Sequence, residues 1–228
     1  MSNLSELGND YGLEVEHVSP TESIFRTIRR RLGGRYPVDA FGLDPQLADL
    51  SAPIVRALVH VNMTGEEHVP TTGGAVLVVN RGFGLFEPAA VAVAVQRATG
   101  RRTRVIGAPT APFVSGLSRR LGAISDSARD LSTCVRAGHL VAVPLAPTWL
   151  RTGAGTPPLP LMQAMTRAPA IPVAVSPGGP LGTAIRPWRV RFGHAVTLDQ
   201  HHDPGDPLGA ARLAEAVRDA VSQLLVEP

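Results

Sequence analysis

The chain has 228 residues, of which 44% are apolar and 18% charged, and a formal net charge of +3. These totals fit one α/β domain with an appended arm and a sizeable core, and exclude a disordered chain. One cysteine excludes a disulfide framework, no Cys/His spacing has the form of a zinc site, and no apolar run approaches the ~18 residues that cross a bilayer. All 22 basic residues are arginine. This reads as codon bias in a GC-rich genome rather than a preference for the planar donor fork that suits phosphate and carboxylate. With no charged-then-apolar leader at its start, the chain is expected in the cytoplasm, either soluble or held at the inner face of the cell membrane.

Residues 1–18 are polar and aperiodic, so they read as a flexible tail. Residues 19–54 read as a helical arm. Ser19-Pro20-Thr21-Glu22 opens a helix with Ile24, Phe25, Ile28 and Leu32 on one side and Arg26, Arg29, Arg30 and Arg31 on the other. Such a helix can dock its apolar stripe on the parent domain. It can also lie on anionic lipid, which makes Ile24, Phe25, Arg26, Arg29 and Arg30 the membrane-facing candidates.

From residue 55 to 228 strands alternate with helices. Strands are expected at 57–63, 75–79, 104–106, 140–143, 171–175 and 188–192, and helices at 88–98, 112–121, 126–137, 159–167 and from 207 onward. The run Ala75–Val79 is wholly apolar, as in a strand covered on both faces. Trp188, Val190 and Phe192 alternate. Asp126 is the expected cap of its helix and Gly138 the stop. The fold class that follows is α/β, with a mixed, mostly parallel sheet covered by helices on both faces.

Several short motifs come in an order that carries a resemblance. Thr64-Gly65-Glu66-Glu67-His68-Val69-Pro70 leads into Ala75-Val76-Leu77-Val78-Val79-Asn80. Leu121-Gly122-Ala123-Ile124 follows, then His139-Leu140-Val141-Ala142-Val143-Pro144, then Arg167-Ala168-Pro169-Ala170-Ile171-Pro172-Val173. Over roughly residues 55–195 this resembles the glycerol-phosphate and lysophosphatidate acyltransferase family. The resemblance implies a groove at the strand ends that takes a phosphate headgroup and an acyl chain. It also implies an Asn-His-x4-Asp motif whose histidine is the general base.

At the chemical positions this chain departs from that pattern. Arg81 stands where the histidine belongs and Phe86 where the aspartate belongs, with Glu87 beside it. Arginine does not shed its proton near neutral pH, so Arg81 cannot act as the base. The family's Pro-Glu-Gly-Thr-Arg motif reads Pro144-Leu145-Ala146-Pro147-Thr148, with Arg151 the nearest substitute for its arginine. Arg81, Phe86 and Glu87 are therefore degenerate motif positions, and no catalytic residue is assigned. The implied groove comprises Asn80, Arg81, Phe83, Leu85, Phe86, Glu87, Leu145, Thr148 and Arg151.

The expected function is that of an acyltransferase-like pseudoenzyme that binds a lipid, an acyl chain or a protein partner, with an anionic membrane surface as a further partner. The alternative is an active phospholipid or lysophospholipid acyltransferase with unconventional groups, His139 or His194 serving as base. Acyl-CoA or acyl carrier protein would be the donor only in that case, and no cofactor is expected otherwise. Remaining signals are plainer. His194 and Asp199 have His-x4-Asp spacing but follow the last strand, and His201-His202-Asp203 reads as a solvated loop. Gly82-Phe83-Gly84 lacks the third glycine of a dinucleotide loop, and Cys134 has no paired base. Arg97, Arg101, Arg102, Arg104, Arg119 and Arg120 form a solvated face or meet phosphate; nucleic acid is not expected.

Overall fold

The computed structural model describes residues 38–80, 86–106, 112–125, 127–145, 168–176, 187–197 and 207–226. Residues 38–228 form one compact unit by their contacts. The arginine-bearing helix expected at residues 19–32 and the helix expected at 159–167 lie outside the described residues.

The first described helix, α1 (Pro45–Leu58), starts where the Asp44 side chain accepts a hydrogen bond from the Leu47 amide and Pro45 supplies a preset φ. It runs through the expected 54/55 boundary and corrects the strand expected at 57–63. Ala57 and Leu58 close the last helical turn, and the Val59 amide donates to the Val55 carbonyl. The strand β1 therefore begins only at Val61 and ends at Thr64. Pro53 inside the helix had hidden it, because proline in a helix interior removes a backbone donor.

Beyond β1 the elements are β2 (Ala75–Val79), α2 (Glu87–Thr99), β3 (Thr103–Ile106), α3 (Pro112–Arg120), β4 (Ala123–Ile124) and α4 (Ala128–Arg136). Then come β5 (Leu140–Pro144), β6 (Ala170–Ser176), β7 (Trp188–Phe192) and α5 (Pro207–Val226). The cap of α4 is Ser127, not Asp126: its hydroxyl accepts from the Asp130 amide. The two-residue strand β4 was read only as a family-like segment.

The seven strands form one sheet in the order β1-β7-β6-β2-β5-β3-β4. All neighbours are parallel except β6 and β7. The sheet is mixed and mostly parallel, as expected. β2 is its central strand, and all five of its residues are buried. Ala75, Leu77 and Val79 pack with α2 on one face; Val76 and Val78 pack with α4 and α5 on the other. A continuous apolar run is what a strand wedged between two helical layers requires.

The leading segment at 64–70 is explained by one close approach. Gly65 has φ 74°, and a Cβ there would lie 2.0 Å from the Phe192 carbonyl oxygen. Only glycine lets this turn fold against the end of β7.

Candidate functional site

Strands β2, β3, β4, β5 and β6 all end at the same edge of the sheet, while β1 and β7 begin there. In an open α/β sheet the crevice beyond the carboxyl ends of the strands is where ligands bind. The end of the central strand is the natural middle of that crevice.

Asn80 sits at this point, and its side chain is engaged. The Asn80 amide donates to the Val173 carbonyl at 3.1 Å, the last regular ladder bond between β2 and β6. The next ladder bond would pair the Val175 amide with the Asn80 backbone carbonyl. Instead the Val175 amide donates to Asn80 Oδ1 at 2.7 Å, and Asn80 Nδ2 donates to the Val175 carbonyl at 3.3 Å. The carboxamide thus stands in for the peptide group that would have continued β2. The main chain can leave the sheet at residue 80 while β6 goes on to Ser176 with its polar groups satisfied. This is why asparagine fits the end of this strand: no other side chain offers the same donor and acceptor at that reach, glutamine being one carbon longer.

The other described members of the expected groove are also held by the fold. Phe86 is the residue before α2, with φ −112° and ψ −20°, and it packs against the core on the α2 face. Glu87 opens α2, where a carboxylate favours the positive end of the helix dipole. The Leu145 amide donates to the Val79 carbonyl at 2.7 Å, but its side chain packs against the core on the opposite face. Asn80, Phe86, Glu87 and Leu145 therefore share one edge, while Phe86 and Leu145 lie on opposite faces of the sheet. Arg81, Phe83, Leu85, Thr148 and Arg151 lie outside the described residues, as do Ile24, Phe25, Arg26, Arg29 and Arg30.

Of the two histidines expected as a replacement base, His139 is far from this edge. His139 precedes β5, whose first residue, Leu140, pairs with Ala75 at the start of β2. That puts it six strand residues, about 20 Å, from the level of Asn80. His194 follows the antiparallel β7, level with Leu77 and Val78 of β2 and two strands away, and its ring meets that of His68 at 3.9 Å between centroids, tilted by 46°. Asp199, its sequence partner, lies outside the described residues. His60, which sequence reasoning did not weigh, is at the right edge: it immediately precedes β1, and its carbonyl accepts from the Trp188 amide. It stands three strands to the side of β2, about 14 Å at the usual strand spacing, and the register sets it a further four residues beyond the level of Asn80. The antiparallel pairing of β7 with β6 brings it there, and nothing local in the sequence announces that pairing.

The opposite edge is a polar clamp. Burial pushes the Asp39 carboxyl up, but the Arg104 guanidinium and the Leu43 and Phe41 amides outweigh it and hold the group below its ordinary value. Arg104, 3% exposed, pairs with Asp39 and lies over the Phe41 ring at 5.8 Å. Phe41 in turn meets His139 edge-on. Burial lowers the His139 pKa, and the charges of Arg104 and Arg101 lower it further. Arg101 donates to the Pro70 carbonyl at 2.7 Å and the Gly73 carbonyl at 2.6 Å, and Arg97 to the Val61 carbonyl at 3.1 Å. Arg102 pairs with Asp49. Much of the arginine cluster that could have met phosphate is spent fastening loops. Cys134 is fully buried on α4, and desolvation pushes its pKa up to about 11, so it is no nucleophile. Among the described residues no group of three or more acidic, histidine or cysteine side chains could hold a metal.

The fold matches a known one. The 1-acyl-sn-glycerophosphate acyltransferase PlsC from Thermotoga maritima aligns with a TM-score of 0.51 over 91% of this chain and 89% of its own, at 15% identity. The chain has the acyltransferase-like α/β fold. No family model matches it. Uncharacterized proteins of Mycobacterium tuberculosis and Mycobacterium bovis are each 25% identical to it over 257 aligned positions, covering 87% of this chain and 71% of theirs. An uncharacterized protein of Mycobacterium leprae is 32% identical over 127 positions, 51% of this chain and 35% of its own.

Proposed function

We infer that this chain is a non-catalytic member of the acyltransferase-like fold that binds a lipid or acyl chain, or a partner's apolar side chain, at the carboxyl edge of its sheet, close to the inner face of the cell membrane. The observation that carries the reading is the end of β2. The Asn80 carboxamide closes the β2–β6 ladder, and the next residue in the sequence is Arg81, not a histidine. A guanidinium can hold a phosphate or carboxylate but cannot take a proton from an attacking hydroxyl near neutral pH. The placement of His139 at the opposite edge supports the same reading.

Native mass spectrometry and lipid extraction of the purified protein test it, with acyl-thioester hydrolysis assayed on the same sample. Co-purifying lipid without turnover, lost in Arg81→Ala, is the expected result. Turnover that survives Arg81→Ala would overturn it. A second reading, an active acyltransferase, takes its base from His194 or His60: thioester turnover abolished by His194→Ala or His60→Ala would establish it.

A further inference from the structure

Trp188 is the first residue of β7, and β7 starts at the carboxyl edge of the sheet. The register sets it four residues beyond Val79, the last residue of β2, and two strands to the side. That is about 13 Å along the sheet and about 10 Å across it. With Val190 and Phe192, its side chain belongs to the core on the α2 face, where Phe86 also packs. The indole therefore stands on the α2 side of the crevice, at a level where β2 has already ended.

Trp188 is 3% exposed, and its Nε1–H, shut from solvent, has no acceptor. Two other described side chains carry a buried polar atom without a partner, Thr103 and Arg104, and both open β3 at the opposite edge. Their chemistry is more forgiving. Arg104 has further N–H groups, one of them engaged by Asp39, and the Thr103 hydroxyl can rotate and either donate or accept. Trp188 has a single polar atom that can only donate. A buried donor without an acceptor destabilises the fold, and phenylalanine would bring much of the same apolar contact without one. The surroundings favour a particular acceptor. Arg97, which reaches the same corner, already has the carbonyl of Val61, the strand partner of Trp188, at 3.1 Å. An anion drawn onto this apolar face would lose its hydration against one neutral donor, whereas a carbonyl oxygen is far less costly to desolvate.

We propose that the Trp188 indole N–H is the donor that holds an uncharged carbonyl oxygen of the bound lipid, so that the α2 side of the crevice takes an acylated ligand, ester or thioester. This rests on the lipid-binding reading above and names the ligand class within it.

The probes are 1-monooleoylglycerol and its ether counterpart 1-O-oleylglycerol, which differ in the carbonyl alone, each added to the full chain. The ester is expected to bind about three- to tenfold more tightly, as one neutral hydrogen bond would give. Trp149→Phe leaves Trp188 as the sole tryptophan and serves as the reference protein. In its NMR spectrum the indole N–H proton is expected to move downfield with the ester and not with the ether. A tryptophan analogue with sulfur in place of the N–H, incorporated in the same background, keeps the ring shape. It should abolish the preference for the ester, leave the ether's affinity unchanged and not lower the melting temperature. Equal affinity for the two probes, an indole proton that the ester does not move, or an ester preference that survives the analogue would overturn this proposal and leave the lipid-binding reading standing. Failure of both probes to bind would overturn that reading, and this proposal with it.

Discussion

Replacing Asn80 by alanine removes the carboxamide that finishes the β2–β6 ladder. Two hydrogen bonds are lost, of 2.7 and 3.3 Å, both to the backbone of Val175. Val175 is 1% exposed, so its amide and carbonyl would be left without partners unless water enters beside the half-buried residue 80. An unsatisfied buried polar group costs about 1–3 kcal/mol, and partial access to water puts the pair at the low end, about 2 kcal/mol in all. For a chain of this size that lowers the melting temperature by roughly 4–8 °C. Asn80→Asp separates this account from a simple loss of packing. Aspartate keeps an acceptor for the Val175 amide but sets a carboxylate oxygen against the Val175 carbonyl. Near neutral pH it should be at least as destabilised as alanine. When protonated it can donate again, so its deficit relative to wild type should shrink as pH is lowered toward about 4. Thermal melts of the three proteins at several pH values measure this. An Asn80→Ala protein that melts within ~1 °C of wild type, or an Asn80→Asp deficit independent of pH, would refute the carboxamide clasp.

Two further outcomes follow from the polar clamp and the buried thiol. The folded state holds His139 below its unfolded pKa, so the unfolded chain binds a proton more readily; stability should fall as pH drops through about 6.5, and Asp39, also depressed when folded, should add a further loss below about pH 4. Urea midpoints at pH 7.5 and 5.5 measure the first of these, and the difference should diminish in His139→Leu. Cys134, with its thiol pushed up to about 11, should react with iodoacetamide in the native protein at a small fraction of the rate in denaturant, as read by mass spectrometry; native labelling at the unfolded rate would contradict its burial.

Much of the fold was legible because it rests on local pattern. The wholly apolar run at 75–79 announced a strand covered on both faces. The alternation at 188–192 announced a strand with one polar face, and Gly138 announced the end of a helix. These signals come from side-chain periodicity and backbone freedom, which a few neighbouring residues determine. The end of α1 was not legible, because Pro53 interrupts its pattern and its apolar residues face outward.

At the site, the sequence by itself determined which chemical groups are present: arginine and no histidine after Asn80, no second cysteine, and carboxylates only where they stand. The tertiary structure alone decided which of them meet. The pairing of Asn80 with Val175 spans 95 residues, and the antiparallel direction of β7 sets the start of β1, with His60 before it, at the edge where β2 ends. Strand order and direction are set by how two helical layers cover the sheet, a property of the whole chain that no local run of residues encodes.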